Sequence, residues 1–156
     1  MQQNTLNLPP APLKTKQEGQ RTLVFDPLRR RYVTLTPEEW VRQHFTHFLI
    51  SEKGYPQGCV GNEVPLTVEA MKKRCDTVVY DTHAHPLVIV EYKAPHVQIT
   101  QKVFDQTWRY NLPLHVPYII ISNGMKHFCC HIDYAKNSCN FLADIPRYEE
   151  LLPQTK

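Results

Sequence analysis

A chain of 156 residues with 42% hydrophobic and 21% charged side chains has the length and balance of one globular domain with an ordinary core. Eighteen Lys and Arg against 15 Asp and Glu leave a net charge of +3, which is compatible with a nucleic-acid partner but does not demand one. No apolar run approaches the ~20 residues of a membrane span, no secretory leader is evident, and no G-x-x-x-x-G-K-[ST] loop is present, so the expectation is a cytoplasmic protein, off the membrane, without a P-loop motor of its own.

Residues 1–20, with "LPPAPLKTKQEGQ", are proline-rich and polar and read as a flexible N-terminal arm ahead of a single domain over 21–156. "RTLVFDPLRRRYVTLTP" holds two short strand-like pieces around Asp26-Pro27, with Arg29, Arg30 and Arg31 in a solvated turn. Thr36 is a good N-cap, Pro37 suits the first helical position, and Glu39 completes a capping box. Trp40, Val41, His44, Phe45, Phe48 and Leu49 then give a helix one apolar face, ended by Gly54 and Pro56. "GNEVPLTV" reads as a strand, and the hairpin "RCDTVVYDTHAHPLVIVEYKAP" follows. A second helix is expected from about Thr100 to Tyr110, stopped by "NLP". "PYIIISNG" has the apolar character of a central strand, Asn123-Gly124 is a strong turn signal, and "MKHFCCHIDY" supplies the returning strand. A short helix near "PRYEELL" closes the domain. The order α-β-β-β-α-β-β supports an α/β (α+β) fold with a mixed central sheet flanked by helices.

Three charged residues sit where the hairpin should be apolar: Asp76, Glu91 and Lys93. A turn centred between His83 and Ala84 puts Asp76 opposite Glu91, with Cβ atoms ~5 Å apart, and alternation brings Lys93 to the same face. Two adjacent carboxylates repel, and each is costly to desolvate unpaired. A hard divalent cation held by Asp76 and Glu91, with help from the Tyr92 carbonyl, resolves the conflict and describes a Mg²⁺ site, with Mn²⁺ as a substitute. Such a site suits phosphodiester hydrolysis, with Lys93 serving the attacking water or the developing charge.

An Asp on one strand followed by Glu-x-Lys on the next resembles the PD-(D/E)XK nuclease superfamily. Here Cys75 stands in place of the motif's proline. The run from "VFDPLRRRYVTLTPEEWVRQHF" to "FLADIP" resembles the N-terminal nuclease domain of type I restriction enzyme R subunits. The resemblance implies a restriction-endonuclease-like fold, Asp76 and Glu91 as metal-binding and catalytic residues, Lys93 in the hydrolytic step, and a downstream Gln-x-x-x-Tyr, present as Gln106 and Tyr110. On a helix these two lie one turn apart on one face, where they would contact a DNA backbone or position Lys93. The implied activity is Mg²⁺-dependent endonucleolytic cleavage of DNA. The implied partners are DNA and a separate motor or specificity subunit.

Two other readings of the triad compete with this one. One is an ordinary cross-strand salt bridge, worth at most about 1 kcal/mol if exposed. The other is a catalytically inactive nucleic-acid-binding or interaction module of the same fold. The resemblance also offers Glu39 and Glu63 as a further metal ligand from the first helix or first strand, but Glu39 is sufficiently explained by its capping box and Glu63 by an exposed strand end. His127, Cys129 and His131 alternate along one strand over roughly 13 Å, too far to close a zinc tetrahedron, and read as an edge strand. His83 and His85 read as polar turn residues. The five cysteines form no C-x-x-C pair and read as reduced thiols. Lys72, Lys73 and Arg74, with Arg29 to Arg31 and Lys102, are candidates for a phosphate track.

Overall fold

The computed structural model describes residues 5–153. Its first unit is a small antiparallel sheet of β1 (Thr15–Glu18), β2 (Arg21–Asp26) and β3 (Arg31–Thr34). Helix α1 (Pro37–Glu52) follows, then β4 (Val60–Val68), β5 (Met71–Tyr80) and β6 (Pro86–Tyr92). Helix α2 (Gln101–Asn111) leads to β7 (Tyr118–Ser122), β8 (His127–Asp133), β9 (Ser138–Phe141) and the short α3 (Tyr148–Leu151). Strands β4 to β9 form one six-stranded sheet in sequence order. All its neighbours are antiparallel except β6 and β7, and the parallel step needs the crossover that α2 supplies.

The central sheet is therefore mixed and flanked by helices, as the patterning indicated. Two strands were not foreseen. Thr15–Glu18, within the segment read as an arm, pairs along β2 with every side chain exposed, so ladder hydrogen bonds hold it and no apolar signal marks it. Ser138–Phe141 pairs with β8, so β8 is an inner strand and β9 the edge. That pairing also brings Cys130 and Cys139 into a disulfide, which corrects the reduced-thiol reading for these two; Cys59, Cys75 and Cys129 are free. The remainder of the described arm forms no helix or strand, and Asn7 donates its backbone N–H to the Gly124 carbonyl at 2.9 Å. Residues 1–4 of the arm lie outside the described residues.

Thr36 caps α1 by accepting the Glu39 N–H at 3.1 Å. Val41, Phe45 and Leu49 bury that helix against Val79, Val88, Val90, Tyr92 and Ile120 on one face of the sheet. Phe104 and Trp108 of α2 cover Ile119 and Ile121 on the other. With helices on both faces, the strands carry near-continuous apolar runs. Leu87, which strict strand alternation would put on the face of Ile89, packs instead with the α1 cluster, because the β5–β6 register shifts between Val79 and Tyr80.

Candidate active site

Thr77 pairs with Val90 and Val78 with Ile89, the register that the turn geometry implied. The ladder stops at Thr77. One residue further, the Tyr92 N–H donates to Asp76 Oδ2 at 2.9 Å, so a side-chain carboxylate accepts where a strand carbonyl otherwise would. Asp76 is thus wedged in the fork where β5 and β6 part. Glu91 stands across from it, with the two carboxyls in hydrogen-bond contact. Such a contact requires a proton between them. Burial, the Asp76 charge and that hydrogen bond push the Glu91 carboxyl up to about 8, while Lys93 and Arg42 pull it down less strongly. Lys93 is anchored through its backbone N–H, which donates to the Ser122 carbonyl on β7 at 2.9 Å.

Glu91 and Lys93 open onto a cleft of about 440 Å³ that is also lined by Arg74 and by Val103, Gln106, Thr107 and Tyr110 of α2. The helix face carrying Gln106 and Tyr110 therefore looks onto the cleft that Glu91 and Lys93 line. Tyr110 is 62% exposed, and its ring lies 3.7 Å from Lys73 Nζ rather than against Lys93. Lys73 is buried beneath that ring, and burial lowers its proton affinity. Of the proposed phosphate track, Arg74 lines the cleft, and Lys72, Lys102, Arg30 and Arg31 are exposed. Arg29 is not in a solvated turn: its Nη2 donates to Glu39 Oε1 at 2.7 Å and its Nε pairs closely with buried Asp26.

Glu39 likewise departs from the capping box. Its backbone N–H bonds Thr36, but its carboxylate turns to Arg29 and to Gln43, which donates at 2.9 Å. Next along α1 is Arg42, whose Nη2 lies 2.7 Å from Glu63 Oε1 and 3.9 Å from Asp76 Oδ1. On the other side of this network, Asn62 donates to Asp26 at 3.0 Å and Thr77 to Asn62 at 2.7 Å, and Thr77 also bonds the Tyr92 hydroxyl at 2.8 Å. Arg42 is the site neighbour that the sequence did not single out, and Glu63, which reads there as an exposed strand end, is the other. The signal was available: a two-residue turn at Glu69-Ala70 puts Asn62 opposite Thr77 and Val64 opposite Cys75, so Glu63 falls opposite Asp76.

A model of the family "Type I restriction enzyme R protein N terminus (HSDR_N)" matches residues 37–146. The chain belongs to this family. The match runs from the start of α1 to Pro146, and so includes Glu39, Arg42, Glu63, Asp76, Glu91, Lys93, Gln106 and Tyr110. A solved structure described as a fragment of an HsdR subunit of a type I restriction enzyme from Vibrio vulnificus YJ016 has a similar fold, with a TM-score of 0.54 at 21% identity. The similarity covers 75% of this chain and 24% of that one, so the chain spans about a quarter of that relative's length. A search of curated proteins found no match.

Within this R-protein N-terminal domain the other polar candidates have local partners. His127 Nδ1 bonds the Ser122 hydroxyl at 2.7 Å, and its Nε2 bonds the Asn7 carbonyl at 2.9 Å. His85 is held by Asp81, which also accepts the backbone N–H groups of His83 and His85 and so organises the hairpin turn. Among the described residues no three His, Cys, Asp or Glu side chains stand close enough to enclose a metal by themselves. Two carboxyls that must otherwise share a proton are a hard-oxygen donor pair, and that chemistry fits Mg²⁺, which keeps several positions for water or phosphate. Among the described residues no helix is long and apolar enough to cross a membrane.

Proposed function

We propose that this domain is a Mg²⁺-dependent endodeoxyribonuclease that hydrolyses phosphodiester bonds in the cleft between the β5–β6 fork and α2. The observation that carries the reading is the contact between the Asp76 and Glu91 carboxyls beside Lys93. A fold has no stability reason to press two carboxyls together, and a site that takes a cation does. Asp76 and Glu91 would hold the ion, with Mn²⁺ an effective substitute. When bound, the ion would offset charge on the phosphoryl oxygens and acidify water.

The chain's own groups supply the rest. Lys93 stands at the cleft wall, where its ammonium orients the attacking water and meets the negative charge that develops on phosphorus-bound oxygen. Water adds to phosphorus, one ester P–O bond breaks, and the departing oxygen takes up a proton. Gln106 offers an amide and Tyr110 a phenol to the DNA backbone, one helical turn apart. Arg74 places positive charge along the same wall, which suits a polyanion. None of these groups is arranged to read base edges, so intrinsic sequence specificity is low. A separate motor or specificity subunit would then choose where the domain cuts.

Nicking of supercoiled plasmid by wild type and Asp76→Ala, with Mg²⁺, Mn²⁺ or EDTA, tests the reading. Metal-dependent nicking that is lost in Asp76→Ala supports it. Equal DNA binding by both proteins with no cutting by either would identify an inactive nucleic-acid-binding module instead.

A further inference from the structure

We propose that Arg42 sets how many carboxylates the site offers a cation, by holding Glu63, the third acid in a row across β4, β5 and β6, on its own guanidinium. The inference rests on the cation site of the proposed function and adds a residue that tunes it. Glu63 and Asp76 lie between the paired positions Asn62–Thr77 and Val64–Cys75 of β4 and β5, and the β5–β6 register, continued one residue past Thr77–Val90, sets Asp76 opposite Glu91. Three neighbouring strands therefore each bring one carboxylate to the same fork. Asp76 and Glu91 are in carboxyl–carboxyl contact. Glu63 is drawn to Arg42 Nη2 at 2.7 Å, with Arg74 Nε at 3.7 Å from its other oxygen.

Several features mark this arrangement as more than a surface ion pair. Glu63 has a φ of 55°, a left-handed conformation that a non-glycine residue adopts at a cost and keeps only where its surroundings enforce it. Arg42 is 5% exposed, and its Nε and Nη1 have no hydrogen-bond partner among the described residues, although Nη1 lies 3.7 Å from Glu39 Oε1. A buried guanidinium with spare donors is an expensive way to stabilise a helix. Its Nη2 faces Glu63 and Asp76 together, and its carbon lies 5.7 Å from the ring of Tyr92, whose backbone N–H binds Asp76. Arg42 acts through those carboxylates and is a positioning residue. Its charge opposes a cation at Asp76, and Glu63 neutralises that charge. The pair thereby leaves a two-carboxylate site suited to a weakly held, phosphate-bridging ion.

Opposite signs in two single variants test this. The probe is Mn²⁺ alone, its free concentration read by electron paramagnetic resonance at fixed pH without DNA. Wild type should bind Mn²⁺ and Asp76→Ala should not. Arg42→Met, or Arg42→Gln should the first variant not fold, is expected to bind about tenfold tighter, because Glu63 is released and the opposing charge is gone. Glu63→Gln is expected to bind about tenfold weaker, because the Arg42 charge then falls on Asp76 uncompensated. Arg42→Lys should keep wild-type affinity, and Arg42→Met/Glu63→Gln should return close to it. A purely structural role weakens both single variants, and that result, or no change in either, overturns the inference. Absence of Mn²⁺ binding by wild type overturns the underlying function instead.

Discussion

At Glu91, burial and the adjacent Asp76 charge push the carboxyl up to about 8, so this group binds its proton more tightly in the folded protein than in the unfolded chain. Its contribution to stability is therefore complete below its ordinary range and is lost as pH rises through about 8. The metal-free protein should melt at a lower temperature at pH 9 than at pH 6, and Glu91→Gln should flatten that dependence. Mg²⁺ should raise the melting temperature more at pH 9, where it meets no competing proton, and scanning calorimetry across the two conditions checks both. Charge pattern alone singles out Asp76, Glu91 and Lys93, because an ionisable group in or beside an apolar strand is conspicuous on any reading. Glu39, Arg42 and Glu63 were less legible. Each has an innocent local explanation, and only the tertiary fold shows Glu39 leaving its cap for Arg29 and Arg42 reaching two strands.

Among the elements, α1 and the β5–β6 hairpin set the site's geometry, and both were readable from the chain. Thr36 starts the helix and the Val41-Phe45-Leu49 stripe buries it, while alternating valines and the Asp81-organised turn set the hairpin register. Thr36→Ala should cost about 1 kcal/mol through loss of the cap, and Phe45→Ala about 3–5 kcal/mol through the cavity left between helix and sheet. Urea denaturation of the two variants would show both the order and the size of these effects. Gly124 is a sharper case. Its φ of +84° favours glycine, and an added Cβ would approach Leu6 of the arm to 2.7 Å. Gly124→Ala should therefore destabilise by more than about 1 kcal/mol, measured the same way. Strands β1 and β9 escaped notice for a shared reason: they are four residues long and mostly solvent-facing, so backbone pairing rather than side-chain burial places them.

On the scale of the molecule, two helices clamp opposite faces of a mixed sheet, and the fork between its second and third strands faces α2 across the cleft. The matched family segment begins at α1, whereas Asp26 at the end of β2 and Arg29 in the turn after it reach into the polar network behind the site. The small N-terminal sheet thus helps to brace α1 from outside the matched segment. DNA affinity that depends on Arg74 and Lys93 should fall steeply with salt, while sequence changes in the DNA should matter little, as gel-shift titrations at two salt concentrations would reveal. The most direct test of the central claim is the rate of plasmid cleavage by wild type and Lys93→Met across a Mg²⁺ titration. Expected are Mg²⁺-dependent cutting by wild type and a loss of about a hundredfold or more in the variant, with the half-saturating Mg²⁺ concentration unchanged, as a group that serves the hydrolytic step and not the ion requires. Cleavage by Lys93→Met at the wild-type rate, or none by wild type at any Mg²⁺ concentration, would contradict it.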